Sequence, residues 1–318
     1  MTIHKLLDYL KKKKISKKVL VIGEVFEDIF AEVNILKISP EAPVMVINPI
    51  KNSKNSYLGG AGNVLQNLLS ANLDAKLISL AENNKLQYVN SKTKKKIDLI
   101  LDSKYQNIKK IRYVSNSKHI IRVDHEKKFN FPPKKNKNLF KTLNKYLKNT
   151  DFYILSDYNK GFLTDSNIPE IIKNIQKKNN AKIFVDSKRS NLEIYKNVYL
   201  IKINNLEACE YFNIKDVYNT SNYPKIFNFL ENNKIENIII TTGKNGAILF
   251  NKNKFYYLNS KRQKKVYDVS GAGDTFLSYL VYANMAGLEI KKATLVANRA
   301  SFLAISSYGI SSVNKNDL

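Results

Sequence analysis

The sequence predicts an α/β protein with a mostly parallel central sheet, helices on both faces and a small accessory β-sheet that serves as a lid. Two observations predict the central sheet: apolar runs alternate with helical segments after residue 133, and polar residues follow successive runs. A third predicts the lid, because segments 30–50 and 110–126 do not fit this alternation. We therefore expect one domain over residues 1–318, with its lid strands drawn from these two segments.

The elements of the first half follow from local periodicity. The N-terminus has apolar positions at 3, 6, 7 and 10 ahead of a lysine run, which indicates a short amphipathic helix. A secretion signal would place its basic residues first, so we expect a cytoplasmic protein. KVLVIGEV (18–25) is the continuous apolar run of a buried strand, whereas residues 84–110 are weakly patterned. The other predicted elements are a helix over 59–73, a strand over 75–81 and a hairpin over 110–126 that turns at Asn116–Ser117.

The second half alternates more regularly, as a parallel sheet covered on both faces requires. The predicted helices lie at 136–149, 164–178, 206–212, 222–233 and, as a pair, within 274–307. The predicted strands lie at 152–158, 181–188, 199–205 and 237–243, followed by a hairpin of GAILF and KFYYLN.

Composition excludes several classes of protein. No run of 18 or more apolar residues exists, so the sequence predicts no membrane span. The single cysteine, Cys209, excludes an internal disulfide and a thiolate metal cluster. The net charge of +26 is carried almost entirely by lysines spread along the chain, which favours a solvated surface over a nucleic-acid site. Polyanion binding remains the alternative. Because only five arginines occur, each of them is more informative than usual.

Polar residues lie at the carboxyl ends of successive predicted strands. Ligands of open α/β sheets bind at this edge, although turns favour the same residue types. Their recurrence favours a cleft for phosphates and a divalent metal ion. The segments are Gly23–Glu24 with Asp28, Asp157–Lys160, Asp186–Lys188, Asn204–Glu207 and Thr241–Gly243.

The segment DVSGAGDTF (268–276) has the composition of a helix start. Gly271, Ala272 and Gly273 allow a tight turn, and Asp274 and Thr275 open an amphipathic helix. Backbone N–H groups and the positive end of the helix dipole would then point at one position. The sequence therefore predicts an anion site beside a carboxylate.

These motifs resemble those of the ribokinase-like (PfkB) carbohydrate kinases in order and spacing, over most of the chain. The matching motifs are GGAGN (59–63), N-x-x-E at Asn204–Glu207, T-x-G-x-x-G at Thr241–Gly246 and the 268–276 segment. More narrowly, ISPEAPV (38–44), IIRVD (120–124), SDYNKG (156–161) and VDSK (185–188) resemble the bacterial D-glycero-β-D-manno-heptose 7-phosphate kinases. The resemblance implies transfer of the ATP γ-phosphate to the anomeric hydroxyl of the heptose. Because the chain ends where the kinase part ends, we expect the form without a fused nucleotidyltransferase.

The resemblance also implies roles for residues around the phosphates. Asp274 would be the general base, and the backbone N–H groups of Ala272, Gly273 and Asp274 would form the anion hole, with Gly271 opening the turn that carries them. We expect the carboxylate of Asp274 to be ionised at neutral pH beside a helix N-terminus. Asn204 and Glu207 would order Mg²⁺ through water. Thr241, Gly243 and Gly246 would line the ATP, and Asn298 would lie near its adenine or ribose unless it serves packing.

The remaining implied roles concern the sugar phosphate. Asp28 and Asn63 would bind hydroxyls, and Gly59 and Gly60 would allow close approach. The cations and the carboxylate expected around the substrate are Lys110, Arg112, Arg122, Lys160, Lys188 and Asp157. Arg112 and Arg122 are the preferred phosphate anchors because guanidinium groups bind phosphate in a bidentate manner. For Arg122 the alternative is an ion pair with Asp124 or Glu126.

Some positions depart from the family pattern: Glu24 stands where an aspartate is commoner, and VDSK replaces VDPK. These departures leave other functions open, namely a kinase of another sugar, sugar phosphate or nucleoside, or a sugar-binding module that has lost catalysis. A monovalent cation and a homodimer formed through the lid strands are further expectations of the resemblance.

Overall fold

The computed structural model describes residues 3–83, 86, 88–259, 268–306 and 309–318. Within these ranges the chain forms a nine-stranded sheet, flanked by helices, and a separate four-stranded sheet. The predicted α/β architecture with an accessory sheet is therefore confirmed. No helix in the described ranges is both long enough and apolar enough to cross a membrane.

The helices and strands mostly agree with the predicted ones to within a few residues, except in the lid and in segment 84–110. The helices are α1 (Ile3–Lys12), α2 (Ala61–Ser70), α3 (Ser91–Lys94), α4 (Asn136–Leu147), α5 (Asn167–Gln176), α6 (Asn205–Phe212), α7 (Tyr223–Asn232), α8 (Ala272–Met285) and α9 (Ile290–Ala304). The strands are β1 (Lys18–Gly23), β2 (Val25–Ile38), β3 (Met45–Gly60), β4 (Asp74–Ala81), β5 (Ile97–Leu101), β6 (Ile108–Ser115), β7 (Lys118–His125), β8 (Phe152–Asp157), β9 (Lys182–Ser187), β10 (Leu200–Asn204), β11 (Asn237–Thr241), β12 (Ala247–Asn251) and β13 (Lys254–Leu258). Residue 307, the end of the predicted helical segment 274–307, lies outside the described residues.

The main sheet has the strand order β13-β12-β11-β10-β9-β8-β1-β4-β5. The strands from β11 to β5 are parallel, and β12 and β13 add an antiparallel edge. The opposite edge strand, β5, was not predicted because it lies in the lysine-rich segment 84–110, where apolar alternation is weak. Since the parallel strands all end at the same edge, their carboxyl-terminal residues are brought together there.

The second sheet, called the lid sheet here, has the order β3-β2-β6-β7. Its first two strands span residues 25–60, a longer segment than the predicted 30–50. Pro49 lies within β3 and is tolerated there because β3 is an edge strand whose ladder with β2 shifts register nearby. The hairpin at Asn116–Ser117 is confirmed, and both residues have the positive φ of a type I′ turn, 50° and 61°.

Helix α8 lies inside the apolar layer on one face of the main sheet. Twelve of its fourteen residues are buried, because α2, α9 and the sheet surround it. Ser278 links it to α2 by donating to the carbonyl of Val64 at 3.2 Å. This packing delivers the N-terminus of α8 to the carboxyl edge of the sheet. The amphipathic α1 packs near the other end of α8, where the Tyr282 hydroxyl donates to the Leu10 carbonyl at 2.8 Å.

Candidate active site

Asp274 lies in the first turn of α8 and is 6% exposed. Its two carboxylate oxygens each accept a hydrogen bond from a different element. The Tyr158 hydroxyl donates to Oδ1 at 2.5 Å, and the Asn63 amide donates to Oδ2 at 3.0 Å. The orientation of this carboxylate is therefore set from the loop after β8 and from α2.

Gly271 precedes α8 in the left-handed conformation, with φ of 76° and ψ of 0°. A Cβ atom at this position would lie 2.5 Å from Nδ2 of Asn63, whose amide also donates to the Gly271 carbonyl at 3.4 Å. Both the backbone conformation and the close approach of Asn63 therefore require glycine here. The turn predicted from GAG thus brings Asn63 against the start of the helix.

Two backbone N–H groups of this first turn have no acceptor in the described part of the chain. Among the described residues, neither the N–H of Gly273 nor that of Asp274 donates a hydrogen bond, whereas Ala272 N–H donates to the Val269 carbonyl at 3.3 Å. Such free groups at the N-terminus of a fourteen-residue helix favour an anion. The geometry therefore supports an anion hole at Gly273 and Asp274, while Ala272 is already engaged.

Lys202 lies beside this turn, and its sequence neighbours in β10, Ile201 and Ile203, are apolar. Its Nζ would be 3.0 Å from a Cβ atom at Gly273, and it pairs with Oδ2 of Asp186 at 2.7 Å. Lys202 and Asp186 are 2% and 4% exposed, and Oδ1 of Asp186 has no partner among the described residues. A buried ammonium group next to free N–H groups gives this corner fixed positive charge.

Burial raises the pKa of Asp274 to about 6. The hydrogen bonds from Tyr158 and Asn63 oppose this change, as does the charge of Lys202, while the charge of Asp186 adds to it. At pH 7 about nine in ten of these carboxyl groups are ionised. Hydrogen-bond donors and Lys202 thus oppose the cost of burial, in addition to the helix N-terminus considered from sequence.

The predicted sugar-binding residues Asp28 and Arg112 form an ion pair with each other. Both are buried, and the Arg112 guanidinium also lies 5.3 Å from the ring centroid of Phe30. A Cβ atom at Gly59 would lie 1.8 Å from Oδ2 of Asp28, so glycine allows the lid strands to pack here. Gly60 follows as the N-cap residue of α2 and leads to Asn63.

The other lid cations differ in their surroundings. Lys110 lies 4.8 Å from the ring centroid of Phe26, and burial lowers its pKa. Arg122 pairs with Asp124 at 2.8 Å, the alternative raised by the sequence. It is also the direct cross-strand neighbour of Arg112, so the two arginines share a face of the lid sheet. Like charges in such positions favour a bound anion.

Lys160 and Lys188, expected on the opposite lip, both form ion pairs. Lys160 pairs with Glu126 at 2.6 Å, and Lys188 pairs with Glu207 at 2.5 Å. Burial lowers the pKa of Lys188, but the charges of Asp186, Glu207 and Asp274 outweigh it and the pKa is raised. Lys188 therefore stays protonated at the edge of the cleft.

The N-x-x-E motif forms a capping box at the start of α6. Asn204 Oδ1 accepts from the N–H of Glu207 at 2.9 Å, and Glu207 Oε2 accepts from the N–H of Asn204 at 2.7 Å. In the described part of the chain no three His, Cys, Asp or Glu side chains group into a metal site. The available donors are carboxylate and amide oxygens, with Oδ1 of Asp186 unpartnered, which suits a Mg²⁺ ion that keeps most of its waters.

The residues expected along the nucleotide lie at the end of β11 and beyond it. Thr241 ends the strand, and Gly243 and Gly246 frame a short turn with positive φ. A Cβ atom at Gly243 would meet nothing within 4 Å, so open space adjoins this turn. Asn298 is buried and donates to the Leu258 carbonyl at 2.8 Å, which supports the packing alternative.

Asp157 is enclosed instead of facing a cleft. Arg189 and Tyr195 each donate to its Oδ2 at 2.5 Å, and the N–H of Asn159 donates to its Oδ1 at 2.8 Å. The side chain is fully buried. These contacts favour a role in supporting the loop after β8 over the substrate contact expected from sequence.

Three residues around the site received no role from the sequence: Tyr158, Lys202 and Glu24. The lysine inside the apolar run YLIKIN could have indicated Lys202, because a buried charge needs a partner of opposite charge. Tyr158 lies in the SDYNKG motif, but no local pattern links its hydroxyl to Asp274. Glu24 was noted among the polar residues at the strand ends and as a departure from aspartate, without a role of its own.

Comparison with known proteins identifies relatives of the chain. The model of the pfkB family of carbohydrate kinases matches residues 16–317. The bifunctional protein HldE of Aliarcobacter butzleri strain RM4018 is 32% identical over 311 residues, which cover 96% of this chain and 64% of that protein. HldE of Desulfatibacillum aliphaticivorans is 30% identical over 311 residues, with 95% and 62% covered. The chain thus spans slightly less than two thirds of the length of these relatives.

Solved structures show the same fold at low sequence identity. Phosphofructokinase-2 from Escherichia coli, in complex with substrates and products, matches with a TM-score of 0.74 and 13% identity, over 94% of this chain and 96% of that one. Ribokinase from Arabidopsis thaliana, complexed with ribose and ATP, matches with a TM-score of 0.73 and 13% identity, over 95% and 97%. The predicted ribokinase-like fold is therefore confirmed.

Proposed function

Because the chain belongs to the pfkB family of carbohydrate kinases, we propose that it phosphorylates the anomeric hydroxyl of D-glycero-D-manno-heptose 7-phosphate. The product is the 1,7-bisphosphate, a precursor of nucleotide-activated heptose, and the reaction takes place in the cytoplasm. The observation that carries the kinase chemistry is the corner where a held carboxylate, two free N–H groups and Lys202 meet. The heptose motifs and the cations of the lid sheet support the choice of substrate.

Asp274 acts as the general base. The anomeric oxygen attacks the γ-phosphorus, its proton passes to Asp274, and the bond between that phosphorus and the departing ADP oxygen breaks. The N–H groups of Gly273 and Asp274 donate to the oxygens of the phosphoryl group, and Lys202 adds a positive charge. Since Tyr158 and Asn63 already hold both oxygens of Asp274, the base needs no reorientation before the proton moves.

When bound, ATP supplies the phosphoryl group and Mg²⁺ neutralises charge on its phosphate oxygens. Asn204 and Glu207 would hold the Mg²⁺ ion through its waters, with the oxygen lone pairs that the capping box leaves free. Lys188 remains protonated beside Glu207, so its positive charge also faces the phosphate oxygens of ATP. Thr241, Gly243 and Gly246 form the nucleotide side of the cleft.

The phosphate already on the sugar is bound by the lid sheet. Lys110 is the cross-strand neighbour of Asp28, and Arg112 is the cross-strand neighbour of Arg122. All four side chains therefore lie on one face of the lid sheet. With Lys160 included, four cations face three carboxylates, those of Asp28, Asp124 and Glu126, which leaves one excess positive charge for a phosphate. Arg112 is the central anchor because it is buried and a bidentate donor.

The function is tested by assaying the purified chain with ATP and Mg²⁺ against heptose 7-phosphates, hexose phosphates, free sugars and nucleosides. We expect transfer to a heptose 7-phosphate with the highest kcat/KM, and a 1,7-bisphosphate product by NMR. Preference for a free sugar or nucleoside would overturn the proposed substrate. Absence of transfer to every acceptor would overturn the proposed activity.

We expect Arg112→Ala to raise KM for the sugar phosphate by about 10- to 100-fold, since a buried charge-assisted contact is lost. The same change should affect a dephosphorylated sugar much less, because that substrate never uses the contact. Arg122→Ala is the matched control. Its side chain is 46% exposed and paired with Asp124, so a smaller rise in KM is expected. An equal loss with both substrates would instead mean that Arg112 only supports Asp28.

The lid sheet also carries an apolar surface that supports a homodimer. Leu36, Ile38, Met45 and Ile121 are 60%, 72%, 56% and 52% exposed, and all belong to lid strands. We expect a dimer in sedimentation velocity, and a shift to monomer in the Ile38→Lys/Ile121→Lys double variant. Leu206→Lys, at a 77% exposed position on α6, is the control and should leave the dimer intact. A monomeric wild type would contradict this proposal.

A further inference from the structure

Tyr158 connects the lid sheet to the carboxylate of Asp274. Its hydroxyl donates to Oδ1 of Asp274 at 2.5 Å, and its ring packs edge-on against Phe26 of β2, with centroids 4.7 Å apart. Burial and the charge of Asp274 raise the pKa of Tyr158 well above its usual range, so the hydroxyl stays protonated and remains a donor. The contact is therefore present throughout the working pH range.

The buried carboxylate of Glu24 holds the loop that carries Tyr158, in addition to the contact of Asp157 with Asn159. Glu24, fully buried between β1 and β2, accepts from the backbone N–H groups of Tyr158, Lys160 and Phe162 at 3.2, 3.3 and 3.2 Å. Three donors from one short loop fix the path of its backbone. Asn159 and Gly161 within the loop have positive φ, 55° and 95°, which is the tight conformation this contact requires.

Glu24 also holds the second donor to Asp274, through its own backbone. Its carbonyl accepts from the N–H of Ala61 at 2.9 Å, at the start of α2. Asn63, two residues further along, donates to Oδ2 of Asp274. One residue thus anchors both segments that supply hydrogen bonds to this carboxylate.

From these contacts we propose that Tyr158 is a positioning residue for the base Asp274, and that Glu24 keeps Tyr158 and Asn63 in place around it. The inference rests on the proposed role of Asp274 in phosphoryl transfer. It differs from a purely structural role, because the hydroxyl of Tyr158 contacts the carboxylate that receives the proton. Tyr158 therefore controls both the direction and the proton affinity of the base.

The direction of the effect follows from the charges around Asp274. The groups that face it are the Tyr158 hydroxyl and the Asn63 amide, with the charges of Asp186 from β9, Lys202 from β10 and Lys188 after β9, while Asp28 acts on Tyr158. A donor to the ionised carboxylate lowers its pKa, so removing the Tyr158 hydroxyl should raise the pKa of Asp274. Asp274 can accept a proton only when it is ionised. The fall of kcat at low pH, the acid limb of its pH profile, would therefore move to higher pH.

The test follows the titration of Asp274 by NMR in protein labelled with ¹³C at aspartate carboxyls, with Asp274→Asn used to assign the resonance. We expect a pKa near 6 in the wild type. In Tyr158→Phe it should be about one unit higher, the effect of one hydrogen bond to a charged group. The kcat should fall about tenfold with little change in the KM for the sugar. The acid limb of the pH profile of kcat should move to higher pH by about one unit, as the pKa does.

Tyr105→Phe is the matched control, because the Tyr105 hydroxyl is buried and has no partner among the described residues. It should leave the titration of Asp274 unchanged. Glu24→Gln should shift the titration in the same direction as Tyr158→Phe. An Asp274 titration in Tyr158→Phe equal to that of the wild type would overturn the role of Tyr158, and an unshifted Glu24→Gln would overturn that of Glu24. Both outcomes are measured by NMR titration without substrate turnover. They can therefore be distinguished from a failure of the proposed kinase activity.

Discussion

Replacing Asp274 by asparagine is expected to lower kcat by about 10²- to 10⁴-fold, the usual contribution of a general base. Asparagine has the same shape, and its single oxygen can still accept from one of the two donors, Tyr158 or Asn63. We therefore expect the fold to persist. Steady-state kinetics with ATP and the sugar phosphate measure the loss, and thermal unfolding checks the fold. In the wild type, kcat should decline as the pH falls below about 6, because burial raises the pKa of this carboxyl to that value.

Asp268→Asn is the matched control for this variant. Asp268 lies in the same segment and accepts from the N–H of Ser270 at 2.8 Å, but it contacts neither Asn63 nor Tyr158. It should retain near wild-type kcat and the same acid limb. Unchanged turnover in Asp274→Asn would refute the mechanism, as would an acid limb that survives the loss of the carboxylate.

Replacing Lys202 by methionine is expected to reduce both stability and activity. The change leaves the buried carboxylate of Asp186 without its ammonium partner, which costs about 3–5 kcal/mol in the free energy of unfolding. It also removes the positive charge beside the N–H of Gly273. We expect kcat to fall by about 10²- to 10³-fold, as when one stabilising donor of a transition state is removed. Denaturant unfolding and steady-state kinetics give the two quantities.

The Lys202→Met/Asp186→Asn double variant separates the two effects. Because it removes both charges, most of the lost stability should return, whereas kcat should remain low. If activity returned together with stability, Lys202 would be a structural partner of Asp186 and no more. If the single variant were as stable as the wild type, the ion pair would contribute nothing to folding.

Most of the fold could be predicted from the sequence because its signals are local. Helical periodicity places α4 to α9 to within a few residues, and the apolar runs mark β1, β4 and the strands from β8 to β11. The misses have local causes as well. β5 is hidden in a lysine-rich segment, and the length of β3 depends on a sheet edge that tolerates proline.

The candidate site could be predicted only in part. GAGD indicated an anion site because glycines and a helix start act through their own backbone, and the structure confirms that turn around Gly271. The N-x-x-E motif indicated a metal role but also forms a capping box, an interpretation that the same spacing allows. Asp157 was expected at the substrate, yet its neighbours in space enclose it.

The sequence by itself determined the fold class, the family and the glycine turn before Asp274, since each depends on local motifs and on their order along the chain. Only the tertiary structure decided what holds that carboxylate. Asn63 and Tyr158 are 211 and 116 residues away from Asp274 along the chain, and Glu24 anchors both. Such contacts arise because parallel strands bring their carboxyl ends to one edge, and no periodicity in the sequence records which side chains then meet.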